Sequence, residues 1–449
     1  MKFGTDGVRG VAGQPPLDPV TISRLGAALV RRTEYAHASA RDHAQPVHIA
    51  VGRDTRESGP WIEEALARGV TAAGGRLTTF GVIPTPGVAY LTRTGPFDLG
   101  VVISASHNPF ADNGLKVFSG RGEKFGEPEE RAVEAIVADP SWTVDDVRPV
   151  VERSNLVAEY LAHTKLLLPS TGNLQGARIA IDMGHGATTT TAPTLLKSLG
   201  FELVEIGNAP NGKNINLECG STHPEALAAA VVAHKCRLGI AFDGDGDRAI
   251  FVDHTGRVVN GDAVLLICGT RLKALNQLPG DTVVATVMSN LGLELAFKAR
   301  GIRMLRTPVG DKYVMEEMLK NGYAIGGEQS GHVICAEHLF TGDGLATGLL
   351  VMRAMVESGR ELADLAGELT MYPQVLVNVR TKSRTDVNEV PAVARVIHQV
   401  TRAMEGNGRL LIRYSGTEPL LRIMIEGQDD ATIKGWAEEI AAAVRAELA

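Results

Sequence analysis

The run VHIAVGRDTR (47–56), continued by WIEEALARGVTAAGG (61–75) and RLTTFGVIPTP (76–86), decides the reading of the fold. A β-rich apolar stretch, a polar turn, an amphipathic helix closed by glycine and a second β-rich stretch make a βαβ unit with parallel strands. The pattern returns twice. RIAIDMGHGA (178–187), TLLKSLG (194–200) and FELVEIGNAP (201–210) repeat it, as do TVVATVMSN (282–290), LELAFKARG (293–301) and IRMLRTPVG (302–310). Gly75, Gly200 and Gly301 stand where a left-handed residue would cap each helix. A further short strand follows each unit and delivers a polar loop: FDLGVVISASHNP (97–109), CRLGIAFDGDGDR (236–248) and GYAIGGEQSGH (322–332). Open α/β sheets bind ligands beyond the carboxyl ends of their strands, so a site is expected where these loops emerge.

The C-terminal part breaks the pattern. RLLIRYSGTEPLLRIMIEG (409–427) reads as strand, turn, strand, and ATIKGWAEEIAAAVRAELA (431–449) as an amphipathic helix with Trp436, Ile440 and Val444 on one face. The fold class expected is α/β, with three similar α/β domains at 1–150, 151–254 and 255–370 and a smaller α+β domain at 371–449. Asp18 and Pro19 suit the cap and first position of the first helix.

Bulk properties agree with a multi-domain globular chain. The 449 residues suggest roughly three or four domains. Hydrophobic residues make up 44% and charged residues 22%, enough for a large core. A formal net charge of −7 argues against a nucleic-acid binder. Cys219, Cys236, Cys268 and Cys335 lie far apart without a C-x-x-C pair, as reduced thiols would. The N-terminus has no apolar signal core and no run approaches a membrane span, so a cytoplasmic protein with no membrane partner is expected.

FDGDGDR carries the strongest local signal. Asp243, Asp245 and Asp247 alternate with glycines after an apolar strand. Three carboxylates this close repel unless a cation neutralises them, and hard oxygen ligands suit Mg²⁺ or Ca²⁺. No Glu stands at the twelfth loop position, so an EF-hand is a poor match, and Mg²⁺ completed by phosphate oxygens is favoured. ISASHNP invites a Ser–His hydrolase reading, but neighbours on an extended chain face opposite ways, so His107 is not expected to take a proton from Ser106. There is no G-x-S-x-G elbow either. Beside a metal loop, one of these serines becomes a candidate phosphoryl carrier, and spacing leaves Ser104 and Ser106 equally open. Glu328, Ser330 and His332 in GEQSGH suit contact with sugar hydroxyls. Arg413, Ser415 and Thr417 in RYSGTEP, on a backbone loosened by Gly416, suit a terminal phosphate. Arg9 and Lys116 are further cations near glycine turns. Nucleotide signatures G-x-x-x-x-G-K-[ST] and G-x-G-x-x-G are missing. Together the loops imply phosphoryl transfer on a phosphorylated sugar or polyol.

In its ordered motifs the chain resembles the α-D-phosphohexomutases, and within them the branch acting on glucosamine phosphates. FGTDGVRG (3–10), SASHNP (104–109), FDGDGDR (242–248), PVGDKYV (308–314), GGEQSGH (326–332) and RYSGTEP (413–419) follow the family pattern. NGKNIN and GSTHPEAL (211–227) resemble the glucosamine branch, and Asp311 stands where glucose and mannose mutases carry His. The resemblance implies four domains around a central cleft and picks Ser106 as phosphoserine. It implies Mg²⁺ held by Asp243, Asp245, Asp247 and a phosphoserine oxygen, with Arg248 and His107 at that phosphate. Asp311, Glu328 and Ser330 would grip the sugar, and Arg413, Ser415, Gly416 and Thr417 its non-reacting phosphate. Arg9, Lys116 and His332 would serve proton transfer or charge stabilisation. The activity implied is isomerisation of glucosamine 6-phosphate to glucosamine 1-phosphate through a 1,6-bisphosphate, feeding amino-sugar nucleotide and cell-wall precursors. Its partners would be the hexosamine phosphate and its bisphosphate, and the enzyme a monomer or homodimer. DMGHGA departs from the family at His185, in a turn expected to lie away from the catalytic motifs. The rival readings are a glucose or mannose phosphate mutase, a Mg²⁺-dependent phosphatase with an aspartyl nucleophile, and a catalytically silent sugar-phosphate-binding protein.

Overall fold

The computed structural model describes residues 1–4, 6–37, 45–406, 408–415 and 419–449. The chain divides into two compact units: Met1–Thr286 with Leu305–Gly367, and Val287–Met304 with Glu368–Ala449.

In the first unit the opening βαβ pattern forms. His48–Arg53 pairs in parallel with Arg76–Val82 and with Leu99–Ile103, and Gly59–Ala72 and Thr85–Thr94 are the crossover helices. Both faces of this sheet are covered. Ile49 and Val51 pack with Ile62 and Leu66 on one side, while Ala50 packs with Val88, Leu91 and Val102 on the other. Double burial explains why these strands read as unbroken apolar runs instead of alternating ones. Asp112–Ser119 and Val8–Val11 extend the sheet antiparallel, and Glu152–Arg153 pairs with Thr78–Thr79 at the opposite edge. The last strand of the first sheet thus lies beyond residue 150.

The second sheet repeats the plan. Arg178–Asp182 pairs in parallel with Glu202–Ile206 and Leu238–Phe242, and Ala249–Asp253 returns antiparallel. The third sheet runs Arg303–Thr307, Thr282–Thr286, Ile325–Gly327, Val333–Cys335, with its last pair antiparallel. In all three sheets the polar loop is the short link between a parallel strand and its antiparallel return. Gly200 (φ +86°) and Gly301 (φ +66°) are left-handed as expected. In the first repeat that role falls to Gly74 (φ +79°), not Gly75. Gly75 is needed for space instead, since a Cβ there would lie 2.7 Å from Val30 Cγ2. Asp18 caps the helix Pro19–His37 by accepting from Val20 N and Thr21 N.

The second unit carries an antiparallel sheet ordered Gln374–Arg380, Leu420–Gly427, Gly408–Tyr414, with helices Pro391–Ala403 and Asp430–Leu448. Ile433, Ala437, Ile440, Ala441 and Val444 form the buried stripe of the last helix, and Trp436 sits at its margin. Among the described residues no helix is long and apolar enough to cross a membrane.

Candidate active site

The strand Leu99–Ile103 ends in two buried serines whose environments differ. Ser104 Oγ donates to Asp54 Oδ2 (2.6 Å) and accepts from Ser106 N (2.9 Å). Ser106 is left-handed (φ +53°), and its Oγ donates to Asp243 Oδ2 at 2.5 Å. That backbone corrects the opposite-faces expectation: Ser106 Oγ lies 3.3 Å from His107 Nδ1, because the chain is no longer extended there. His107 is still a poor base for the serine. Its Nδ1 accepts from Arg248 Nη1 at 2.9 Å, and burial together with the Arg248 charge pushes its pKa down to about 4.

Asp243, Asp245 and Asp247 converge after the strand Leu238–Phe242, each offering an oxygen within 4.8 Å of the others. The intervening glycines are required. Gly246 is left-handed (φ +72°), and a Cβ on Gly244 would lie 2.6 Å from Ser106 O. Lys116, 1% exposed, reaches Asp245 Oδ2 (2.7 Å), Asp247 Oδ2 (2.9 Å) and Asp6 Oδ2 (3.1 Å). Burial alone would lower the Lys116 pKa, but these carboxylates outweigh it and hold the group well above its ordinary value. Asp243 is driven the other way, well above the carboxylate range, by burial and its two acidic neighbours. Asp245 Oδ1 and Asp247 Oδ1 are buried without hydrogen-bond partners. Under-neutralised hard oxygens with free lone pairs fit a divalent cation.

The third loop joins the second through backbone pairing of Arg248 with His332. Glu328 Oε1 accepts from Gly310 N (3.1 Å), and exposed Ser330 donates weakly to Glu328 Oε2 (3.4 Å). His332 is buried, with Nε2 3.3 Å from Asp311 Oδ2 and 3.8 Å from Asp247 Oδ2, and neither ring nitrogen is hydrogen-bonded. Asp311 opens the helix Asp311–Asn321 and pairs with Lys124, which also pairs with Asp6. Arg9 pairs with Asp6 and reaches Asn108 Oδ1 at 3.4 Å. Arg9, His107, Asp247, Arg248, Asp311, Glu328 and His332 line one cleft of about 440 Å³, ample for a sugar phosphate.

In the second unit, Arg413 lies opposite Arg422 on neighbouring strands. Burial and the Arg422 charge lower the Arg413 pKa. Arg384 Nη2 donates to Ser415 O (2.8 Å) and Arg422 Nη2 reaches Ser415 Oγ (3.4 Å). Guanidinium groups gathered around Ser415 are the chemistry that an anionic group requires. Gly416 and Thr417 lie outside the described residues.

Several contributors escaped sequence reasoning. Arg56, Asp54 and Asn216 brace the Ser106 loop, and Thr85 Oγ1 donates to Asp245 Oδ2 (2.5 Å). Arg422 joins Arg413 through pairing that only the sheet reveals, and Arg384 joins them only through its bond to Ser415 O. GRDTR and NGKNIN were visible as polar clusters, but nothing in their spacing pointed to another loop's carbonyl. The His185 turn is a correction. It is not remote, because Ala187 N donates to Gly244 O (2.8 Å) and a Cβ on Gly186 would meet the Gly244 backbone at 2.4–2.8 Å.

Family models agree with this architecture along the chain. The phosphoglucomutase/phosphomannomutase alpha/beta/alpha domains I, II and III match residues 1–143, 158–256 and 260–372, and the C-terminal domain of that family matches 376–443. A phosphoglucosamine mutase of Solibacter usitatus (strain Ellin6076) is 51% identical, with 99% of this chain and 98% of that protein covered. A phosphoglucosamine mutase of Symbiobacterium thermophilum is 46% identical, with 99% of each covered. Among solved structures, a phosphoglucomutase/phosphomannomutase family protein from Burkholderia thailandensis shares the fold with a TM-score of 0.80 at 24% identity, covering 98% of this chain and 97% of that one. The Aspergillus fumigatus N-acetylphosphoglucosamine mutase, solved with GlcNAc-6P and magnesium, gives 0.69 at 16% identity, covering 99% and 96%. The chain belongs to the phosphoglucomutase/phosphomannomutase family of α-D-phosphohexomutases.

Proposed function

We propose that this protein interconverts glucosamine 6-phosphate and glucosamine 1-phosphate, with Ser106 as phosphate carrier and a 1,6-bisphosphate as intermediate. The observation that carries the reading is the Ser106 hydroxyl, turned onto Asp243 of a buried acidic triad at the edge of a cleft that Arg9 and Arg248 line together with Asp247, Asp311 and Glu328. In one half-reaction the phosphoserine P–Oγ bond breaks as a bond forms from phosphorus to sugar O1. The O1 proton leaves to a cleft base, and Ser106 Oγ regains a proton. After the bisphosphate turns round, the P–O6 bond breaks and the P–Oγ bond re-forms as Ser106 Oγ gives up its proton, while O6 takes the proton that the cleft base received from O1.

Asp243, Asp245, Asp247 and a phosphoserine oxygen would hold Mg²⁺, which supplies charge neutralisation at the transferring group. Arg248, already against His107, would take phosphoserine oxygens, and Arg9 and Lys116 add positive charge where the transition state is anionic. His332, with two buried and unbonded ring nitrogens, would accept the sugar proton in this reading. Asp311, Glu328 and Ser330 would hold sugar substituents, and Arg413, Ser415, Gly416 and Thr417 the non-reacting phosphate. We assign these tasks to four domains of a cytoplasmic enzyme, the first at 1–150 with the edge strand Glu152–Arg153 added to it, the second running on to 254, and the others at 255–370 and 371–449. Specificity is tested by comparing turnover of glucosamine, glucose and mannose 6-phosphates. A marked preference for glucosamine is expected, and equal rates would overturn the assignment.

A further inference from the structure

We propose that Arg56 is a positioning residue for phosphoryl transfer, fixing the direction of Ser106 Oγ by gathering the carbonyl groups of its loop. This inference rests on Ser106 being the phosphate carrier. The Arg56 side chain has no exposed surface, yet all of its donors are used. Its Nε donates to Asp54 Oδ2 (2.8 Å), Nη2 to Ser106 O (3.0 Å) and Asn108 O (2.8 Å), and Nη1 to Asp112 O (3.0 Å) and Pro109 O. One planar fork therefore donates to four carbonyls within residues 106–112.

The geometry has a consequence for the serine. A left-handed conformation is strained for a residue with a Cβ, so Ser106 keeps φ +53° only if its surroundings impose it. Three contacts do so. Arg56 Nη2 and Asn216 Nδ2 (2.9 Å) both donate to Ser106 O, and Ser104 Oγ accepts from Ser106 N. With carbonyl and amide pinned, the Cα–Cβ bond is fixed, and from there the Oγ hydroxyl meets Asp243. Asp54 ties the arrangement together, since it binds both Arg56 and Ser104. A lysine could supply charge here but not the fork that reaches four carbonyls.

During turnover Ser106 alternates between hydroxyl and phosphate ester, and a loop free to relax would lose alignment at each change. Arg56 acts from behind the loop, through backbone groups, so its removal should slow transfer while leaving ligand binding largely intact. The test uses full-length Arg56→Lys, Arg56→Ala and Asn216→Ala, with glucose 1,6-bisphosphate as phosphoryl donor and intact mass as the readout of Ser106 phosphorylation. Loss of alignment by about 1 Å predicts single-turnover transfer slowed about 100-fold in Arg56→Lys, with KM for glucosamine 6-phosphate and Mg²⁺ affinity within about threefold. Asn216→Ala should show the same split at about 10-fold. Added guanidinium should restore transfer in Arg56→Ala and not in Arg56→Lys. If Arg56→Ala does not fold, the lysine and Asn216 variants carry the test. Wild-type transfer rates in Arg56→Lys, or equal losses in transfer, KM and Mg²⁺ affinity, would overturn the positioning role. Wild-type protein that takes no phosphate on Ser106 would instead overturn the functional reading beneath it.

Discussion

Gly186→Ala probes the metal loop without touching any charged or hydroxyl group. Gly186 has backbone angles that any residue tolerates (φ −100°, ψ −161°), so the whole effect is steric. The new Cβ would stand 2.4 Å from Gly244 O, 2.7 Å from its Cα and 2.8 Å from its carbonyl carbon. All three are backbone atoms between Asp243 and Asp245, and none can rotate away. Restoring ordinary contact near about 3.5 Å requires a displacement of about 1 Å in the metal loop. Overpacking of this kind typically costs about 1–3 kcal/mol of stability. A misplacement of about 1 Å at reacting groups is worth about 100-fold in rate. Steady-state kinetics with titrated Mg²⁺ should therefore show kcat reduced by one to two orders of magnitude and weaker Mg²⁺ activation, in a protein that still melts cooperatively. Gly435→Ala is the matched control, because it sits inside the last helix and nothing beyond its own helical backbone lies within 4 Å of its Cβ position. Turnover and Mg²⁺ dependence of Gly186→Ala within twofold of wild type would refute the claim that the His185 turn supports the metal loop.

Gly435→Ala should raise stability by about 0.5–1 kcal/mol in denaturant melts, since alanine is the better helix former at an open site. Arg422→Met should raise KM for sugar phosphate by about 10-fold or more with a smaller change in kcat, as expected for losing one charge-assisted hydrogen bond. Glu357 is held down to about 2 by hydrogen bonds from Arg271, which outweigh its partial burial, with Arg353 helping. A depressed folded pKa gives stability that is present above the unfolded value and lost as pH falls through the folded one. The melting-temperature gap between wild type and Glu357→Gln should accordingly be full above about pH 4.5 and gone near about pH 2. A pH-independent gap would contradict that pairing.

Much of the fold was legible because its signals are local. Apolar runs, glycine stops and polar loops recur in order, and burial on both sheet faces makes parallel strands conspicuous in sequence. Asp243, Asp245 and Asp247 were legible for a related reason, as like charges packed into five residues demand compensation. What escaped is contact between distant segments. Arg56 meets the carbonyls of 106–112 only once two parallel strands lie side by side, and Asn216 reaches Ser106 from a turn that follows the strand Glu202–Ile206. His107 was misjudged because an extended backbone was assumed where Ser106 turns left-handed. Ser104 and Ser106, indistinguishable by spacing, are told apart by their partners, Asp54 and Asp243.

Ser106 as phosphate carrier is tested most directly by intact and peptide mass spectrometry after incubation with glucose 1,6-bisphosphate and Mg²⁺. One phosphate is expected, located on Ser106, absent from Ser106→Ala and still acquired by Ser104→Ala. Phosphate found on Ser104 or elsewhere, or never found on Ser106, would contradict it.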